Sequence, residues 1–213
     1  FFKQKTAYEI PKRDWSSDVC SSDLDYEADD LMATLSVKQP GPIRIATGDR
    51  DLFQLVDDKR DVKVVYLAKG VSNHDLVDLK WIEKKYAIPG DRYALFAMIR
   101  GDSSDGLPGI RGIGEKGVAN IARIFSNMPE VIKAAKNEDE RLSANIRSKV
   151  LSNLDYAEIA PKLVGCALNV PIPNMQIELP KKPKSMKKIR DLQEEFGLGA
   201  SIERIINALG WQL

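Results

Sequence analysis

Histidine and cysteine are nearly missing from these 213 residues: His74 stands alone, and Cys20 and Cys166 are the two thiols. One histidine excludes every mechanism that needs a histidine pair. Two distant cysteines supply neither a disulfide framework nor a zinc site, and such sparse usage fits a reducing compartment, so a cytoplasmic location is expected. His74 lies in Ser72-Asn73-His74-Asp75, which reads as the start of a helix and not as a ligand. Long apolar runs are missing too. Those at residues 43–46 and 62–67 are short and broken by charge, far from the roughly 20 residues of a membrane span, so no membrane partner is expected. Near the N-terminus no apolar core of about seven residues or more marks a secretory signal.

Net charge is almost absent as well, at +1, but it is unevenly spread. Residues 25–105 carry 12 basic and 15 acidic side chains, whereas residues 106–213 carry 16 and 12. An acidic first half suits a cation site, and a basic second half suits phosphate contact.

What is present is the 43% hydrophobic content of a folded chain, arranged in two textures. Between residues 25 and 105 strand and helix signals alternate. Apolar positions 31, 32 and 35 follow the acids Glu27, Asp29 and Asp30 and predict a short amphipathic helix. Residues 43–46 predict a buried strand, residues 52–56 a helix or turn, residues 62–67 a second strand, and residues 75–86 and 92–99 two helices. That order argues an α/β layer with a mostly parallel sheet. After Gly101 the strand signal fades, and helices are predicted at 116–125, 128–135, 144–151, 155–168, 186–196 and 202–208. The Pro-rich stretch 170–184 reads as a loop with a strand at 175–179. Lys181, Lys182, Lys184, Lys187, Lys188 and Arg190 form the densest basic run and read as a solvated face.

Seven carboxylates fall in three clusters where elements begin or end: Glu27, Asp29 and Asp30; Asp49 and Asp51; Asp102 and Asp105. Strand carboxyl ends form the ligand crevice of open α/β sheets, which places Asp49 and Asp51 where ligands bind. Singly, acids at helix starts are caps and Asp-rich turns face water. Sharing one pocket, they repel one another unless cations intervene. Hard oxygen donors favour Mg²⁺ or Mn²⁺, and two such ions roughly 4 Å apart stabilise both oxygens of a phosphodiester displacement. Downstream, Pro108-Gly109-Ile110-Arg111-Gly112-Ile113-Gly114-Glu115-Lys116-Gly117 joins a glycine-rich turn to a helix start. Such a turn brings backbone N–H groups close to a phosphate; without a Gly-Lys-Ser/Thr ending it is no P-loop.

Taken together, Glu27-Ala28-Asp29-Asp30, Thr47-Gly48-Asp49-Arg50-Asp51 and the long third motif from Gly101-Asp102-Ser103-Ser104-Asp105 to Lys116 closely resemble the 5′ nuclease family. That family includes the N-terminal domain of bacterial DNA polymerase I, stand-alone 5′ to 3′ exonucleases and flap endonucleases. The resemblance runs from about residue 25 to the C-terminus. It implies a PIN-like α/β nuclease core over residues 25–105 and a helical region over 106–213 with a helix–three-turn–helix that grips DNA. It implies metal ligands at Glu27, Asp29, Asp30, Asp49, Asp51, Asp102 and Asp105, the last four being catalytic, with two Mg²⁺ or Mn²⁺ ions as cofactor. DNA contacts are implied at Arg111, Gly112, Ile113, Gly114, Glu115, Lys116 and Gly117, and a K⁺ ion on the backbone carbonyls of Ile99, Arg100, Pro108, Ile110 and Ile113. The substrate implied is DNA with 5′ ends or flaps, cut by a monomer.

The pattern departs from the family in places. Arg50 stands where relatives often carry Lys, and Gly106 where they often carry Asn. Relatives also begin with a strand bearing a metal-binding Asp, a second Asp and a basic arch, and no counterpart precedes Asp25. Residues 1–24 resemble a translated sequencing-adapter leader and are expected to be extraneous; the sheet is then expected to be incomplete and cleavage impaired. Gly197-Leu198-Gly199-Ala200 near the end favours a stand-alone enzyme over a polymerase-linked domain. Two other functions fit the residues: a non-catalytic duplex-binding module built on the helical half, and an RNA-directed PIN-type nuclease, which normally lacks the glycine turn.

Overall fold

Alternating β-branched and charged residues build a small sheet in the computed structural model, which describes residues 26–103, 105–173 and 181–211. Strand β1 (Ile43–Thr47) pairs in parallel with β2 (Val62–Tyr66), placing Ile45 opposite Val64, and β2 pairs antiparallel with β3 (Asp75–Val77), Val64 opposite Val77. Those three side chains are buried, because residues two apart share a face of the pleat.

Helix α1 (Ala28–Lys38) precedes β1. A 3₁₀ turn at Asp51–Leu55 then buries Leu52 and Phe53. After β3 come α2 (Leu79–Tyr86) and α3 (Tyr93–Arg100). The sequence predicts one helix over 75–86; the structure corrects this to a three-residue strand and a shorter helix. The break falls at Asp78, whose carboxylate caps α2 by accepting from the Trp81 N–H at 2.8 Å, an Asp-type N-cap that starts a helix where it stands. His74, expected at a helix start, instead ends the 3₁₀ turn Val71–Asn73, its Nδ1 2.7 Å from the Val71 carbonyl oxygen.

Helix α3 is the hub. Leu95, Phe96, Ala97, Met98 and Ile99 are all buried, and it packs on α4 (Glu115–Ile124) and α7 (Leu154–Val164). Phe53, Tyr66, Trp81, Tyr86, Tyr93 and Phe96 form a chain of tilted and edge-on rings with centroids 5.0 to 6.3 Å apart, and each ring taken fully from water contributes about 1.5–3 kcal/mol. Helices α5 (Met128–Lys136) and α6 (Ala144–Ser152) pack together beside α7. Helix α7 ends at Val164 and not at the 168 read from the sequence; Pro161 falls in its last turn, and at Gly165 the chain turns extended.

Contacts divide the chain into two compact units with the boundary between Val170 and Pro171. The second holds α8 (Met186–Glu195) and α9 (Ala200–Ala208), with Lys187, Lys188 and Arg190 exposed on α8. The expectations for residues 1–24 and for a strand at 175–179 lie outside the described residues. Among those described, no helix is long and apolar enough to cross a membrane.

Candidate active site

The first acidic group sits at the start of α1. Glu27 is its N-cap and forms a capping box with Asp30: the Glu27 side chain accepts from the backbone of Asp30, and Asp30 accepts from the Glu27 N–H at 3.2 Å. The other Asp30 oxygen accepts from the N–H of Ala167 at 2.6 Å. Asp30 therefore ties α1 to the extended segment behind α7. Thr34 repeats that tie one turn on, donating to the Ala167 carbonyl at 3.0 Å and accepting from the Val170 N–H at 3.1 Å. Gln54 grips the same segment, donating to the Val164 carbonyl at 2.9 Å. These bonds bring the acids of α1 beside the turn that follows β1.

That turn carries the second group. Asp49 accepts from the Asp51 N–H at 2.8 Å, an Asx turn that holds both residues at the carboxyl end of β1. Glu27, Asp29, Asp30 and Asp51 line one cleft of about 330 Å³ with Lys162 and Cys166. Asp51 is half-buried, and its carboxyl is pushed up to about 6, first by burial and then by repulsion from Asp49, Asp105 and Asp102. Asp29 is raised for the same reasons, burial first, then Asp49, Glu27, Asp30 and Asp105. Burial and the surrounding carboxylates also push the Cys166 thiol up to about 12, so it stays protonated and unreactive.

The third group divides. Asp105 is exposed and acts electrostatically on both Asp29 and Asp51. Asp102 is held elsewhere: Arg50 reaches it at 3.0 Å and Arg100 at 3.9 Å, and it lines a neighbouring cavity with both arginines. The three sequence clusters thus meet in one electrostatic field, with Asp102 facing its cations. Among the described residues no group of three or more His, Cys, Asp or Glu side chains is drawn close enough to hold an ion. In kind the donors fit a hard divalent cation, being mutually repelling carboxylates, of which Asp29, Asp30 and Asp51 are half-buried and Glu27, Asp49 and Asp105 exposed.

The glycine turn links α3 to α4. Asp102 and Leu107 exchange backbone bonds at 3.0 and 2.8 Å, and the Ile110 N–H donates to the Ile99 carbonyl at 2.8 Å. Two glycines make this fold possible: at Gly101 (φ +73°) an added Cβ would lie 2.5 Å from the Gly109 nitrogen, and at Gly109 (φ +63°) 2.6 Å from the Arg100 carbonyl oxygen. Of the carbonyls named for K⁺, those of Ile99 and Ile110 already accept from Ile110 and Ile113. Arg111, Gly112, Gly114, Glu115 and Lys116 are exposed, with Ile113 and Gly117 half-buried. Sequence reasoning missed Lys149, on α6, which donates to the Gly112 carbonyl at 2.5 Å. It also missed Lys162 in the acid cleft and the Arg50–Asp102 pair; nothing in local pattern signals contacts between residues so far apart in the chain.

Two family descriptions match in sequence, "5'-3' exonuclease, N-terminal resolvase-like domain" over residues 18–87 and "5'-3' exonuclease, C-terminal SAM fold" over residues 88–188. A 5'-3' exonuclease of Streptomyces coelicolor is 41% identical over 184 residues, spanning 86% of this chain and 61% of that protein. One from Mycobacterium tuberculosis is 32% identical over 192 residues, with 86% and 60% covered. The chain therefore spans about three fifths of the length of these relatives. In fold it is similar to T5 5'-exonuclease with bound zinc, at a TM-score of 0.53 and 21% identity over 67% of this chain and 51% of the other. T5 flap endonuclease with DNA and metal ions gives a TM-score of 0.52 and 19% identity, with 67% and 50% covered.

Proposed function

The chain belongs to the 5'-3' exonuclease family, and from that premise we propose that it forms part of an enzyme that hydrolyses phosphodiesters at DNA 5′ ends and flaps. One observation carries the reading: carboxylates from the start of α1, the end of β1 and the turn after α3 repel one another in one field beside a glycine-rich turn. In this reading Asp29, Asp49, Asp51 and Asp105 hold divalent cations, two Mg²⁺ or Mn²⁺ ions, with Glu27, Asp30 and Asp102 completing the acidic wall. Magnesium, when bound, supplies the positive charge that offsets the carboxylates and stabilises the oxygens of the phosphodiester as it breaks.

The chain's own residues do the rest. Backbone N–H groups of the exposed Gly112, Gly114, Glu115 and Lys116 and the Lys116 ammonium hold the duplex backbone at the N-terminus of α4, and a K⁺ ion on the carbonyls of Ile99, Arg100, Pro108, Ile110 and Ile113 belongs to the same grip. Lys149 holds the Gly112 carbonyl and so steadies the turn that makes the grip. Backbone contacts read shape and not sequence, so affinity falls as salt rises. The enzyme works as a monomer in the cytoplasm. One observation favours a binding module without cleavage: Arg50 already holds Asp102.

A 5′-labelled flap duplex separates the two. With Mg²⁺ the enzyme reading gives short labelled products that disappear in EDTA and in Asp49→Ala. Equal product from the wild type and Asp49→Ala would refute it, and duplex binding with neither cleavage nor any rise in thermal midpoint on adding Mg²⁺ or Mn²⁺ would establish the module.

A further inference from the structure

Beside the acid cleft a second cavity of about 510 Å³ lies between β2, α2 and the glycine turn, within the range of pockets that take a small organic ligand. Its lining has a composition found at neither the acid cleft nor the exposed turn. Arg50, Lys85 and Arg100 bring three cations, and Tyr66 and Tyr86 bring two half-buried rings. The arginines are held by Asp102, at 3.0 and 3.9 Å, which lines the same cavity. Lys85 differs: among the described residues no carboxylate pairs with it. Its ammonium rests 4.4 Å from the centre of the Trp81 ring, and 5.9 and 5.7 Å from those of Tyr66 and Tyr86. A cation on ring faces with no anion of its own suits a phosphate oxygen. Glu115 also lines the cavity, and its charge opposes a second phosphate there.

We propose that this cavity is a nucleotide subsite that takes one unpaired nucleotide of a DNA strand passing from the glycine turn to the acid cleft. Its phosphate meets Lys85 and Arg50, and its base lies against Tyr66 or Tyr86. The nucleotide is unpaired because a paired base hides both faces in the duplex stack, whereas a free one stacks on an aromatic ring whatever its identity. The proposal rests on the nuclease reading above and adds to it a place for single-stranded DNA next to the site of cleavage.

The test is fluorescence anisotropy of the full chain in EDTA, where nothing is cut, with a short labelled oligothymidylate and a blunt duplex as probes. Lys85→Gln and Tyr66→Leu should each weaken oligothymidylate binding about tenfold, leave duplex binding within about twofold, and Lys85→Arg should restore it. Lys85→Gln should also lower the slope of log affinity against log salt by about 0.7, one phosphate contact on a single strand. Because Tyr66 packs edge-on against Phe53 at 5.0 Å, its variant is checked by circular dichroism; if it fails to fold, exposed Lys85 decides alone. Unchanged oligothymidylate binding in Lys85→Gln, or an equal loss on both probes, overturns the subsite. A wild-type chain that binds neither probe overturns the nuclease reading and the subsite with it.

Discussion

Replacing Asp51 with Asn should stabilise the metal-free protein while removing cleavage. The Asp51 carboxyl is raised from 3.8 to about 6 by burial and by its acidic neighbours. A group whose folded-state value lies above its unfolded value holds its proton more tightly when folded. Its ionisation therefore costs stability in full above about pH 6, and the cost fades as pH falls from 6 towards 3.8. Two units correspond to roughly 3 kcal/mol; Asp51 is only half-buried, and solvent screening reduces this to about 1–2 kcal/mol. Among the described residues the Asp51 side chain makes no hydrogen bond that Asn would break, since the bond to Gln54 uses its backbone carbonyl. Urea unfolding in EDTA at pH 7.5 and pH 5 measures the effect. Asp51→Asn should gain about 1–2 kcal/mol over the wild type at pH 7.5 and about half as much at pH 5. A variant less stable than the wild type at pH 7.5, or a gain equal at both pH values, would refute stored carboxylate repulsion as the property of this cleft.

Three further outcomes follow from other contacts. Gly109→Ala forces a Cβ to 2.6 Å from the Arg100 carbonyl oxygen at φ +63°, so a loss above ~2 kcal/mol and a fall of at least about 5 °C in thermal midpoint are expected; an unchanged midpoint would mean the turn is free to open. Lys149→Met removes the 2.5 Å bond to the Gly112 carbonyl; duplex affinity by anisotropy should fall several-fold, with a midpoint shift under about 3 °C. Arg50→Gln breaks a partly exposed ion pair with Asp102, worth at most about 1 kcal/mol, so Mn²⁺ titration should show up to about fivefold tighter binding at nearly unchanged stability.

Much of the site was legible because it is local. Asp49 and Asp51 follow β1 directly, and the glycines that permit the 101–114 turn announce themselves by spacing. Strand β3 escaped notice because three residues carry no period, and Leu76 faces solvent where a helix would have used it. The convergence itself was not legible. It depends on Ala167 meeting Asp30 and on Gln54 meeting Val164, bonds between residues more than a hundred positions apart that leave no trace in neighbouring sequence. Asp30 shows the opposite ambiguity: read as a ligand, it spends both oxygens on N–H groups, the ordinary use of an acid at a helix start.

The most direct measurement is thermal unfolding with increasing Mg²⁺ for the wild type and for Asp29→Asn/Asp49→Asn. A cation held by these carboxylates should raise the wild-type midpoint by about 5–10 °C near a hundredfold excess over its dissociation constant, and the double variant should show almost no rise. A wild-type midpoint indifferent to Mg²⁺, or the same rise in both proteins, would contradict the account.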